Sequence, residues 1–159
     1  MKKNVFLFIT APLAILPAAA AEIHIAEQIP YKEGHNISPR ITSQCTETGT
    51  ILSESIAKHA AKKGITVIRS PNYESHSTYA KIEIDSATGI GGAMIGHWKG
   101  MALSGGFYQN GKESDKTTFK RHSTGGMFGG FKRSCSVLYR TANTLGKDVA
   151  GWLAAQSKR

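Results

Sequence analysis

Among 159 residues there are two cysteines, two tryptophans and five prolines, and charged residues make up 19%. Two cysteines cannot build a thiolate-rich structural metal site. Acidic residues are scarce, 11 against 20 lysines and arginines, for a net charge of +9. No GxSxG elbow, HExxH, P-loop or strand-borne GxGxxG is present, so none of the common linear signatures of hydrolases or nucleotide enzymes applies. Gly89-Ile90-Gly91-Gly92-Ala93 imitates a nucleotide loop only superficially. The eleven carboxylates include no obvious acid/base pair. Glu83 and Asp85 read as a solvated strand face rather than a catalytic dyad. No residue marks a catalytic centre, and no cofactor is expected. The six histidines show no i,i+2 or i,i+4 pair; His24 and His35 could share a copper or zinc ion, or simply be surface residues.

What the chain does have begins at its amino end. Met1-Lys2-Lys3-Asn4 is a positive n-region, and Val5 to Leu16 an apolar h-region broken by Thr10 and Pro12. Ala19 and Ala21 fit an A-x-A cleavage site, with Glu22 as the first mature residue. This pattern is a secretory signal peptide. It falls short of the ~20 apolar residues of a membrane span, and Pro12 and Pro17 interrupt it. The reading is residues 1–21 as signal peptide and 22–159 as a single secreted α+β domain, within the usual size of one domain. No cysteine lies at the cleavage point to take a lipid, and no later stretch is a transmembrane segment. A soluble periplasmic or secreted protein is expected.

In an oxidising compartment, Cys45 and Cys135 read as one disulfide. Cys45, Leu52, Ile56 and Ala60 recur at helical spacing over Cys45 to Lys63, with Gly64 as a cap. Cys135, Leu138, Ala142, Leu145, Val149 and Trp152 do the same over Ser134 to Ala155. Each cysteine is thus expected at the start of a helix, on its apolar face. A bridge would then make the two helices run roughly parallel.

Strand signals fill the space between. Ile65 to Arg69 is β-branched, and Tyr79 to Asp85 alternates with Ala80, Ile82 and Ile84 on one face. Ile23 and Ile25 alternate at the mature amino end. Lys99 to Tyr108 and Glu113 to His122 flank Asn110-Gly111, a strong hairpin signal. The expected fold is α+β: a mainly antiparallel sheet of about four to five strands, two helices packed on one face, and one disulfide joining them.

Residues 89–130 hold 12 of the 17 glycines. Gly92, Gly96 and Gly100 stand four apart, as in helix-pairing motifs, but His97, Trp98 and Lys99 intrude, and the stretch reads as a loop leading into the hairpin. The second glycine run carries Met127, Phe128 and Phe131, with Arg121, Lys132 and Arg133 flanking it. These six residues are a candidate partner-binding surface; the alternative is that the apolar three cover the end of the core.

Gly125-Gly126-Met127-Phe128-Gly129-Gly130-Phe131-Lys132, Ser134-Cys135-Ser136-Val137-Leu138, Leu145-Gly146-Lys147-Asp148 and Trp152-Leu153, together with Gln44-Cys45 and Leu52-Ser53, resemble a group of uncharacterised small exported proteins of Gram-negative bacteria. The resemblance implies no particular activity. More loosely, the element order is similar to small αβ envelope accessory domains of the penicillin-binding-protein activator and curli-secretion lipoprotein type, a likeness of fold only.

The excess of cations draws such a protein to anions. In an envelope these are lipopolysaccharide, phospholipid headgroups, peptidoglycan carboxylates or acidic proteins. Nucleic acid is disfavoured, because no aromatic residues interleave with the basic ones. Two functions remain. One is a non-catalytic periplasmic or secreted accessory protein that binds an envelope protein or an anionic envelope component. The other is a small secreted enzyme or enzyme inhibitor without a linear motif.

Overall fold

The computed structural model describes residues 22–34, 37–90, 98–123 and 134–159. Its elements run β1 (Glu22–Ala26), α1 (Pro39–Gln44), α2 (Thr48–Ala61), β2 (Thr66–Ser70), a 3-10 turn (Tyr73–Ser75), β3 (Thr78–Ile90), β4 (Trp98–Gln109), β5 (Lys112–Ser123) and α3 (Ser134–Gln156). The five strands form one sheet in the order β2-β1-β3-β4-β5.

The α+β architecture, the mainly antiparallel sheet and the disulfide are as the sequence implies; the sheet is mixed rather than purely antiparallel. β1 pairs in parallel with both β2 and β3, while β3, β4 and β5 are antiparallel. The helical link between β1 and β2 carries the chain back to the end where β1 began, so β2 must run alongside it in the same sense. The β4–β5 connection is the expected tight turn. Asn110 and Gly111 both have positive φ, 51° and 77°, the conformation a two-residue hairpin of this hand demands.

Among the described residues there are three α-helices rather than two. Pro39 opens a short α1, compatible with a first helical turn, and α1 ends at Cys45. Cys45 therefore precedes α2 instead of lying within it. Cys135, by contrast, sits in the first turn of α3. The two are bonded, with Cα atoms 5.2 Å apart across 90 residues of sequence. From that clamp α2 and α3 run side by side in the same direction. Further along, Ser55 Oγ donates to the Asn143 carbonyl at 2.8 Å, and Gly146 faces the Ser55 side chain.

Both helices cover one sheet face. Ile23 and Ile25 from β1, Ala80, Ile82 and Ile84 from β3, and Leu103 and Phe107 from β4 meet Leu52 and Ile56 of α2 and Leu138, Leu145 and Val149 of α3. All are buried. The far half of the sheet is closed by Trp152. Its ring meets Phe107 and Phe119 edge-on at 6.2 and 6.0 Å and rests over Gly105, where a Cβ would lie 3.3 Å from it. Its indole N–H donates to Asp115 at 2.8 Å, and Gln156 donates to the same oxygen.

The α2–α3 contact gives a prediction whose sign opposes helix propensity. Gly146→Ala gains up to about 1 kcal/mol in intrinsic helix preference, yet its new methyl runs into Ser55. Overpacking of this kind costs about 1–3 kcal/mol. Urea unfolding is expected to show a net loss of stability, and a gain would mean that the helices part easily there.

Candidate interaction face

Among the described residues one sheet face carries no helix, and strand alternation gives its composition. Because Ile82, Ile84, Leu103 and Phe107 point to the helices, their neighbours in β3 and β4 point away. The register sets Tyr79 beside Tyr108, Lys81 beside Gly106 and Glu83 beside Ser104. On the other side Gly106 faces Lys116, Ser104 faces Thr118 and Ala102 faces Lys120. Across β3, β4 and β5 this face thus reads Tyr-Lys-Glu, Tyr-Gly-Ser and Lys-Thr-Lys.

Its aromatic part is ordered by stacking. Tyr79 and Tyr108 lie parallel with centroids 4.7 Å apart, and Tyr73 meets Tyr79 edge-on at 6.0 Å. The Tyr108 hydroxyl donates to Glu113 at 2.6 Å. That bond, with burial and the carboxylate charge adding, pushes the Tyr108 phenol up to about 12. Tyr108 therefore stays a neutral donor throughout the physiological range. Gly106 makes this possible, since the Tyr108 ring folds back over it at 2.9 Å from where a Cβ would stand. Around the rings lies a shallow hollow of about 190 Å³ bordered by Lys32, Lys81, Glu83, Ser104, Glu113 and Lys116.

The segment between β2 and β3 crosses β1 on this same face. His76 stacks on His24 at 3.5 Å with the rings 2° from parallel. Tyr73 donates to Glu74 at 2.8 Å, and Glu74 pairs with Lys81 at 3.3 Å. The Tyr73 bond holds the Glu74 carboxyl below its ordinary range, with Lys81 helping and burial opposing. A parallel stack does not suit a shared metal, because imidazole lone pairs lie in the ring planes and these planes do not converge. His35, named with His24 as one alternative to plain surface histidines, lies outside the described residues; His24 stacks on His76. Among the described residues there is no group of three or more His, Cys, Asp or Glu placed to hold a metal ion.

Burial, then the neighbouring His76, hold His24 below its ordinary 6.5, with Glu22 opposing. The folded state therefore resists the proton that the unfolded chain accepts. Stability is full above about 6.5 and falls as the pH drops from there toward the lower folded value. Melting temperatures taken from pH 7.5 to 5.5 are expected to decline, and His24→Phe, which keeps a ring but cannot titrate, should decline less.

Asp85 shares the open face with Glu83, as alternation implies, and is held there by partners. The register skips at Asp85, making it the extra residue of a β-bulge. It accepts from Ser104 Oγ at 2.8 Å and pairs with Lys32 at 3.3 Å. A second hollow, about 470 Å³, opens at the carboxyl ends of β1 and β2 beside Glu27, Thr50, Arg69 and Tyr73. Its one arginine is already engaged by Ser53, the Glu27 carbonyl and Glu54.

Of the six candidate contact residues read from the sequence, Met127, Phe128, Phe131, Lys132 and Arg133 lie outside the described residues. Arg121 is described: it donates from Nε and Nη2 to both Asp148 oxygens, at 2.7 and 2.8 Å, tying β5 to α3. The sequence reading gave no contact role to Tyr73, Tyr79, Tyr108 and Lys116. Their signal was the alternation itself, which places Tyr79 and Lys81 opposite Ile82.

No protein-family model matches the chain, and no curated protein matches its sequence. Solved structures share its fold. A DUF330 protein of Xanthomonas campestris superposes with a TM-score of 0.59 at 10% identity, over 94% of each chain. PelC of Paraburkholderia phytofirmans, a dodecamer, gives 0.54 at 15% identity, over 88% of this chain and 92% of that one. A dodecameric variant of PelC gives 0.52 at 12% identity.

Proposed function

We propose that the chain is an exported, non-catalytic accessory protein of the bacterial envelope, acting by binding another envelope protein or an anionic envelope component. The observation that carries this reading is the uncovered half of the sheet. Stacked tyrosines, a residue type enriched at protein interfaces, lie beside a shallow hollow bordered by lysines, glutamates and serine. The signal-peptide pattern of residues 1–21 supports the compartment; the likeness to PelC and a DUF330 protein is one of fold.

The reading is tested with the purified, oxidised mature chain. It should co-sediment with envelope fractions or with vesicles containing anionic lipid, and be released as salt rises, because interactions between exposed charges are screened. Failure to bind any envelope fraction at low salt would overturn it. So would a turnover activity that tracks the purified protein and is lost on changing residues of the open face.

A further inference from the structure

The proposed binding role leaves the place of contact and the chemistry of the partner open, and β5 carries both. We propose that the outer edge of β5 over residues 112–121 is a strand-addition site for an extended, acidic segment of another envelope protein. This deepens the accessory reading and rests on it.

The first ground is topological. Among the described residues β5 is the last strand of the sheet and pairs with β4 alone. It is 12 residues long, against 5 for the opposite edge β2. An edge of that length presents a row of backbone N–H and C=O groups that another chain can pair with.

The second ground is charge. Lys112, Lys116 and Lys120 are exposed, and none has an ion-pair partner among the described residues. Lys116 and Lys120 share the open face, four residues apart, or about 13 Å along a strand. The acidic residues of β5 are occupied: Glu113 accepts from Tyr108, and Asp115 from Trp152 and Gln156. The edge is thus a strand template with a positive rim and its own carboxylates engaged.

The same chemistry argues against a second copy of this chain as the occupant. β5 against β5 sets lysine against lysine, and like charges opposite one another are destabilising. β5 against β2 meets Thr-Val-Ile-Arg-Ser, which offers no carboxylate and one more cation. A strand with acidic residues at alternate positions answers both requirements. Its backbone completes the ladder, and its carboxylates reach Lys116 and Lys120 on one face.

The test uses the full oxidised mature chain and a synthetic peptide alternating Glu with Val. A peptide of the same charge with prolines through it cannot form a strand and serves as control. Binding is read by fluorescence anisotropy and by hydrogen exchange. The expected result is binding of the alternating peptide, slowed exchange of β5 amides, and much weaker binding of the proline peptide. The double change Lys116→Glu with Lys120→Glu should weaken the acidic peptide by about tenfold or more and create binding for a Lys-Val peptide. Circular dichroism confirms that this exposed double variant is folded.

Equal binding of the proline peptide, or protection away from β5, would reduce the effect to general charge attraction and overturn the proposal. Self-association that the peptide displaces would make a second copy the occupant and overturn it likewise. If vesicles of anionic lipid are retained while the peptide is not, the edge proposal fails and the envelope-binding reading stands. If neither is retained, both fail.

Discussion

Cys135→Ser, or reduction of the intact protein, is expected to lower the unfolding free energy by about 4–5 kcal/mol. The figure follows from the chain-entropy cost of a closed loop, which at a separation of 90 residues approaches its upper range. It is a large share of the ~5–15 kcal/mol that holds a typical domain together. The bond also fixes the point from which α2 and α3 run together, so its loss should loosen the ends nearest it first. Hydrogen exchange at Thr48–Leu52 and Val137–Tyr139 should quicken more than at Ala150–Ala154. A Cys135→Ser variant unfolding in urea within about 1 kcal/mol of the oxidised parent would show that the helix pair closes the loop unaided.

Trp152→Ala is expected to cost about 3–5 kcal/mol, the usual range for removing a large aromatic from a packed site. Two aromatic neighbours lose their edge contacts, and the space above Gly105 is left empty. Asp115 keeps only Gln156 of its two donors. Trp152→Phe separates these effects: it retains a ring over Gly105 and removes the indole donor, and should cost roughly 1–2 kcal/mol. If Trp152→Ala unfolds at the same urea concentration as the parent, α3 is not held to β4 and β5 through this residue.

Local signals were legible wherever the chain pairs with its own near neighbours. Asn110-Gly111 announced the hairpin because only a few residue types accept positive φ at both central positions. The apolar periods of 52–60 and 135–152 announced α2 and α3, and the compartment made the cysteine pair readable. The direction of β1 was not legible. Ile23 and Ile25 alternate identically in a parallel or an antiparallel ladder, and only the return path through two helices decides between them. The bulge at Asp85 was hidden for a related reason: alternation assigns faces by counting, and one inserted residue breaks the count. The contacts of the strand glycines were not legible either. Gly100, Gly105 and Gly106 lie inside β4, where a neighbouring ring occupies the space each leaves: His122, Trp152 and Tyr108 respectively. Glycine in a strand signals a close neighbour as readily as a turn, and composition alone does not separate the two. The candidate face was half visible, as alternation, while the strap that brings Tyr73 and His76 over β1 depends on contacts between segments about 50 residues apart.

β1 is the keystone between two halves of the sheet, since β2 and β3 meet only through it. It begins at Glu22, and Ile23 is already fully buried. With the cleavage point expected after Ala21, no spare residues separate the cut from the core. A signal peptidase needs an extended, accessible stretch on both sides of the bond it hydrolyses, and a β1 seated between β2 and β3 would withhold one side. If residues 1–21 are a leader cut there, cutting has to precede closure. Until then α2 with β2, and β3 to β5 with α3, are two unfinished pieces awaiting the same strand. The leader would then set the timing of folding as well as the destination, keeping the precursor open until it has crossed.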